Sequence, residues 1–401
     1  MTSQNSDTAR ARQGELIAML AFLFATVAFS MDAMLPALPQ IAAELTPTDV
    51  NRAQLVLTSF MAGMGIGTLF AGPISDALGR KRAMAIGITI YLVFSIVAMF
   101  AGTLDALLLA RFAQGLGAAS PRIVGTALVR DLYAGREMAR ITSFIMMVFM
   151  IVPAMAPLIG QGFIHVLGWR GVFIGFFLFG SLGWLWLGLR QEETLAPQDR
   201  RPLRLRSLWE GTREVLSDRQ VVLSTITMTL GFAQMFALLS SAQQLFGETY
   251  GQGERFPLWF AVMALLAATG TLVNSRLVMR VGMRRIARTA YLLQIFASAA
   301  FLLALWGGLP PLLRFPVFFL WSVGIFTMAG LTFGNLNALA MQRMGHIAGL
   351  TASVVAALST LGAVLIAAPV GLAYDGTAMP VAVAALVCSA LAWAIMGLMR
   401  G

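Results

Sequence analysis

Twelve apolar runs of about 20 residues each fill this chain. They lie at 16–41, 53–74, 83–101, 105–129, 139–164, 168–189, 221–247, 256–277, 285–306, 314–341, 349–373 and 378–399. Twenty helical residues rise about 30 Å, the thickness of the hydrocarbon core of a bilayer. Only 11% of the residues are charged and 58% are hydrophobic, whereas a soluble domain carries about 25% charged residues. Lipid offers the backbone no hydrogen-bond partner, so each run must satisfy its own N–H and C=O groups and forms a helix. The expected fold class is an all-α integral membrane protein with 12 transmembrane helices.

Charge sorts by side. With both termini on one face, 22 of the 28 Lys and Arg residues fall on that face. The opposite loops hold four: Arg52, Arg170, Arg255 and Arg314. This asymmetry marks the first face as cytoplasmic in a multi-pass membrane protein. The net charge of +10 is then directed at anionic membrane lipids, and implies no nucleic acid. The polar start and the long first run indicate a retained membrane helix, not a cleaved signal. The single cysteine, Cys388, excludes an internal disulfide and a cysteine-built metal site.

The longest polar interruption, 190–220, divides the runs six and six. The expected domains are a six-helix bundle at 1–189, a cytoplasmic linker at 190–220 and a second six-helix bundle at 221–401. In the linker, Leu203, Leu205, Leu208, Trp209, Val215 and Leu216 alternate with charged residues. That pattern suits a helix lying on the membrane surface, or else a solvated linker. The halves echo each other. Gly79-Arg80-Lys81-Arg82 and Arg280-Val281-Gly282-Met283-Arg284-Arg285 both link the second and third runs of a half, although the second loop lacks an acid at the place of Asp76. Such parallel repeats are related by an axis along the membrane normal.

Few polar groups lie inside the runs. Asp32 is the one carboxylate well within an apolar segment, about 24 Å along its helix from Leu16. An intramembrane acid is costly and marks function, and burial disfavours the charged form of a carboxyl, as a proton-carrying site requires. Pro36 and Pro39 follow closely, so a helix end wetted from outside is the plainer alternative. Arg111 and Arg122 are eleven residues apart, three turns plus about 20°, and share one face of the fourth helix. Arg111 is a partner for Asp32, and Arg122 either lines a cavity or snorkels to the inner end. In the short loop Gly72–Arg82, Asp76 can face the positive N-terminus of a neighbouring helix, and Arg80 can reach Asp131. Gly72, Asp76, Gly79, Arg80 and Asp131 form the expected inner gate. On the fifth helix, Met146, Met147, Met150 and Met155 with Pro153 and Pro157 suit an adaptable cavity, or ordinary packing. Met146, Met150, Gln234, Asn335, Asn337 and Arg122 are the substrate-cavity candidates. No phosphate-binding Gly-Lys-Ser motif, nucleophile elbow or paired metal ligands occur. Neither an enzyme nor an ATP-driven pump finds support, and no cofactor or metal is expected.

Four segments resemble the Bcr/CflA-type drug:proton antiporters of the major facilitator superfamily. They are Asp32-Ala33-Met34-Leu35-Pro36-Ala37-Leu38-Pro39, the loop Gly72–Arg82, Arg111-Phe112-Ala113-Gln114-Gly115-Leu116-Gly117 with Ala127–Tyr133, and Pro153 through Gly160. The resemblance implies two pseudo-symmetric six-helix bundles and proton-coupled efflux of drugs or small amphipathic compounds across the cell inner membrane by alternating access, with the chain acting as a monomer. It assigns proton coupling to the arginine matched by Arg111, and Asp32 is the expected proton site with Arg111 as its coupling partner. The last segment reads Ala156-Pro157-Leu158-Ile159-Gly160-Gln161 and departs from the antiporter pattern Gly-Pro-x-x-Gly-Gly by two missing glycines. A transporter of a specific metabolite and a non-transporting membrane sensor are the alternatives.

Overall fold

The computed structural model describes residues 3–200, 202–203 and 205–399. Among them, twelve helices of 20 to 33 residues follow one another. They are α1 (Ser3–Asp32), α2 (Leu55–Leu78), α3 (Arg80–Met99), α4 (Leu104–Leu132), α5 (Gly135–Leu167), α6 (Gly171–Arg190), α7 (Arg219–Gln244), α8 (Phe256–Val281), α9 (Met283–Trp306), α10 (Pro311–Met341), α11 (Ala348–Leu372) and α12 (Met379–Leu398). Among the described residues, ten segments are long and apolar enough to cross a bilayer. The other two are α4, which carries Arg111 and Arg122, and α5, whose described apolar stretch is confined to Ile151–Leu167.

Packing divides the helices six and six. In the first set, α4 packs on α1, α2 and α3, α1 also on α5 and α6, and α3 also on α6. Adding six to every label reproduces the packing of the second set: α10 on α7, α8 and α9, α7 on α11 and α12, and α9 on α12. Between the sets the main contacts are α2 with α11 and α5 with α8, which the same operation exchanges. The fold is therefore two pseudo-symmetric six-helix bundles.

Local chemistry explains the repeat. Gly79 and Gly282 start α3 and α9 with φ of 100° and 88°, a left-handed backbone that favours glycine. Close approach in lipid requires small residues. A Cβ on Gly63 or Gly67 of α2 would run into the α4 backbone, and one on Gly115 of α4 into the Phe60 carbonyl. The equivalent pair in the second bundle, α8 and α10, uses Gly270 and Gly330 against Thr327 and Thr271.

The region between the bundles contains a helix, Leu205–Ser217, packed on α7 and α11. Its Val215 is buried and Trp209 exposed, and Glu214 pairs with His346 at 2.7 Å.

Candidate functional site

The first helix stops inside the apolar layer. α1 ends at Asp32, a 3-10 turn spans Leu35–Ala37, and a second helix, Leu38–Leu45, carries the chain onward. Pro36 is the cause. It has no N–H to give the Asp32 carbonyl four residues earlier, and its ring crowds that carbonyl. Asp32 is thus at a helix end, as the plainer expectation had it, but it is not wetted: it is 6% exposed. Gly160 of α5 lies so close to Ala33 that a Cβ there would strike the Ala33 backbone. Among the described residues, no hydrogen-bond donor and no cation reaches the Asp32 carboxyl.

The expected pairing of Asp32 with Arg111 is not formed. Arg111 is fully buried and turns instead to neutral groups. It donates to the Ser30 carbonyl at 3.0 Å, the Val56 carbonyl at 3.4 Å and Gln114 Oε1 at 2.6 Å. Its guanidinium lies 4.3 Å from the Phe60 ring centre and 5.6 Å from that of Phe176. Gln114 donates in turn to Ser95, and the Ser30 and Tyr91 hydroxyls share a 2.7 Å hydrogen bond. The network ties α1, α2, α3 and α4 together two residues from Asp32. Ser30, Tyr91 and Ser95 escaped the sequence reading because single hydroxyls in apolar runs carry no local signal.

At the basic end, Arg80 is buried and meets both expected acids, Asp76 at 2.5 Å and Asp131 at 2.7 Å, and also donates to Ser75. Two corrections follow. Asp76 does not face a helix N-terminus, because Arg80 holds it. The start of α3 is met by Glu193, whose carboxylate accepts from the Arg80 and Lys81 backbone N–H groups at 2.7 and 3.2 Å. Moreover, these residues all belong to the first bundle, so the cluster fastens α2, α3 and α4 and does not itself bridge the halves. Gly72 lies where α2 meets Ile123 of α4 and Ser353 of α11.

The halves are bridged at the opposite end by uncharged side chains. Asn51 donates to the Tyr374 and Leu372 carbonyls at 2.8 and 3.1 Å, and accepts from Gln244 at 2.9 Å. Gln54 donates to Gln244 and accepts from Ser241 at 3.1 Å. Gly371 leaves room for Gln54, and the Tyr374 hydroxyl donates to the Gln244 carbonyl. Burial raises the pKa of Tyr374, and the nearby Glu248 and Asp375 carboxylates push it the same way. At the basic end the Arg130 guanidinium still lies beside Gly349 of α11, while α8 is largely uncovered. The last turns of α8, 271–281, are exposed on nearly every side, whereas Phe256, Phe260, Met263 and Ala267 at its other end are buried.

The cavity candidates separate. Arg122 is exposed. Gln234 is not: it is fully buried and accepts from Ser389 of α12 at 3.1 Å. Asn335 is likewise buried and donates to Asn274 of α8 at 2.7 Å. Both are bridges between helices, which polar side chains in lipid readily form. Asn337 is half-buried. The side chains of Met146 and Met150 lie outside the described residues. Pro153 is half-buried and Pro157 buried, within a continuous α5.

The family model of the Major Facilitator Superfamily matches residues 20–367. An uncharacterized MFS-type transporter, YdgK of Bacillus subtilis, is 27% identical over 370 residues, 90% of each chain. A bicyclomycin resistance protein homolog of Haemophilus influenzae is 27% identical over 342 residues, 84% of each. Among solved structures, a partially occluded inward-open conformation of the xylose transporter XylE from E. coli superposes with a TM-score of 0.78 over 98% of both chains, at 11% identity.

Proposed function

This chain belongs to the major facilitator superfamily, and we propose that it exports drugs or other small amphipathic compounds in exchange for protons, by alternating access. The observation that carries the reading is Asp32: a buried carboxyl at a proline-made break in α1, without a donor or cation beside it among the described residues. A negative charge so placed is costly, so the carboxyl changes its proton content as water or substrate reaches it. Similarity to a bicyclomycin resistance protein homolog supports drugs as the cargo.

The other elements have places in the same cycle. Arg111, bonded to the Ser30 carbonyl, transmits changes at the Asp32 break to α2 and α4. The carboxamide clasp is the outer gate, closed here, and the Arg80 cluster stiffens the first bundle beside the open inner mouth. The basic end faces the cytoplasm of a cell whose inner membrane holds the protein, with Leu205–Ser217 on the lipid surface.

Reconstitution tests the proposal. In proteoliposomes with an imposed pH gradient, the native chain moves members of a panel of antibiotics and dyes, and dissipates the gradient as it does so. Asp32→Asn still binds them but loses proton-driven accumulation by ten-fold or more, on the scale of about 1.4 kcal/mol per decade. Undiminished proton-driven transport by Asp32→Asn removes Asp32 as the proton site.

A further inference from the structure

Arg122 is an exposed arginine of α4 that the proton cycle does not use. Arg111 is wedged between the Ser30 carbonyl of α1 and the Val56 carbonyl of α2. Eleven residues on, three turns plus about 20°, Arg122 projects along the same seam about 16 Å nearer the basic end. Its flanks are anchored: Gly125 lies against Leu20 and Phe24 of α1, and Ile123 beside Gly72 of α2. Since α2 packs on α11, Arg122 looks out between α1 and α2 toward the second bundle. The exposed stripe continues through Thr126 and Arg130, and the Arg130 guanidinium lies beside Gly349 at the start of α11. The stripe therefore faces the gap between bundles, not lipid.

Among the described residues, no carboxylate answers the Arg122 charge. The acids near the inner mouth that the structure describes have other partners: Asp76 and Asp131 with Arg80, Glu15 with Arg190, Glu214 with His346, Glu137 with Gln13 and Glu193 with the start of α3. The helices of the second bundle contribute no Asp or Glu to the apolar layer. A planar guanidinium matches a carboxylate with two parallel hydrogen bonds, and an unpaired one inside a membrane protein is costly without such a partner. We infer that Arg122 is the substrate-recognition residue of the cavity and selects amphipathic compounds that carry a carboxylate. The inference rests on the transport reading above, since it names the cargo of that cavity.

The test separates binding from transport. The purified full chain is titrated with paired probes, aromatic acids from benzoate to pyrenebutyrate and the amide of each, and binding is read as the shift in thermal unfolding. The acids are expected to bind about ten-fold more tightly than their amides. Arg122→Gln brings the acids down to the level of the amides, and Arg122→Lys, which keeps the charge but not the planar fork, is intermediate. The inference is overturned if acid and amide bind alike, if the preference survives in Arg122→Gln, or if no acid binds. A carboxylate preference without movement of any probe in proteoliposomes would sink the export reading and leave the anion site standing. Export of amides and acids alike, with equal binding, does the reverse.

Discussion

Arg111 is held without a carboxylate beside it. Three neutral acceptors and two aromatic faces hold the guanidinium at the seam of α1, α2 and α4. Hydrogen bonds to a charged group contribute about 1.5–3 kcal/mol each, and removing the donor strands buried acceptors. Arg111→Leu is therefore expected to lose about 2–3 kcal/mol of stability and to unfold at a clearly lower temperature in a detergent thermal-shift assay. Arg111→Lys restores little, because an ammonium does not reproduce the fork that reaches Ser30 and Gln114 together. Asp32→Asn behaves oppositely. It breaks no hydrogen bond with the described residues, so its unfolding temperature stays near the native value while proton coupling is lost. A fall in stability for Asp32→Asn as large as that for Arg111→Leu would mean that Asp32 is structural. The spacing of Arg111 and Arg122 along one helix face was legible in the sequence. Their different surroundings were not, because they depend on what α1 and α2 bring to that face, and the spacing within α4 carries no trace of it.

At the scale of elements, most of the fold was legible because lipid leaves so few solutions. Length and hydropathy alone locate α1 to α12, and Pro36 with Pro39 mark the break in α1. The partners of Gln234 and Asn335 were hidden, since a carboxamide that bridges helices and one that lines a cavity look the same in a single sequence. The glycine at the start of α3 was visible as part of a loop motif, and its φ of 100° supplies the physical reason for it. At ψ of 159°, that conformation is reserved for glycine and costs other residues about 1–3 kcal/mol. Gly79→Ala is thus expected to lower the unfolding temperature, and Gly282→Ala, with φ 88° and ψ 146°, to do the same in the second bundle. Gly102→Ala, where a Cβ meets open space at an ordinary φ, is the neutral control. Equal effects at all three sites would discard the backbone argument. Glu193 adds a further check. It accepts from two N–H groups at the start of α3, and helix starts favour a negative charge by about 0.3–1 kcal/mol. Glu193→Gln should cost that much and cost less as salt is raised.

The molecule as a whole is fastened at the end away from the basic loops, chiefly by uncharged side chains. Asn51, Gln54, Ser241, Gln244 and Tyr374 join the bundles through hydrogen bonds between neutral groups, with the Glu248 and Asp375 carboxylates beside Tyr374. Each neutral hydrogen bond contributes about 1 kcal/mol net. The pair Gln54→Ala and Gln244→Ala removes three such bonds, about 3 kcal/mol, which corresponds to a population shift of about a hundred-fold toward a parted outer end. Spin labels at Thr48 and Glu254, exposed on the two sides of the clasp, read that shift as a distance. The only native cysteine, Cys388, is buried, so labelling at introduced cysteines is clean. The native chain should give one short distance, each single variant a mixture, and the double variant mainly a long one. Because the two side chains bond each other, their effects should not add. The bonds that cross the clasp run between amides and a hydroxyl, which neither gain nor lose protons near neutrality. In an Asp32→Asn background the distances should then be the same at about pH 6 and about pH 8, where histidine and perturbed carboxyls titrate but amides and phenols do not. A double variant with the native distance would show that the clasp is not what holds the outer end shut. A pH-dependent distance in Asp32→Asn would place the proton sensor elsewhere than α1.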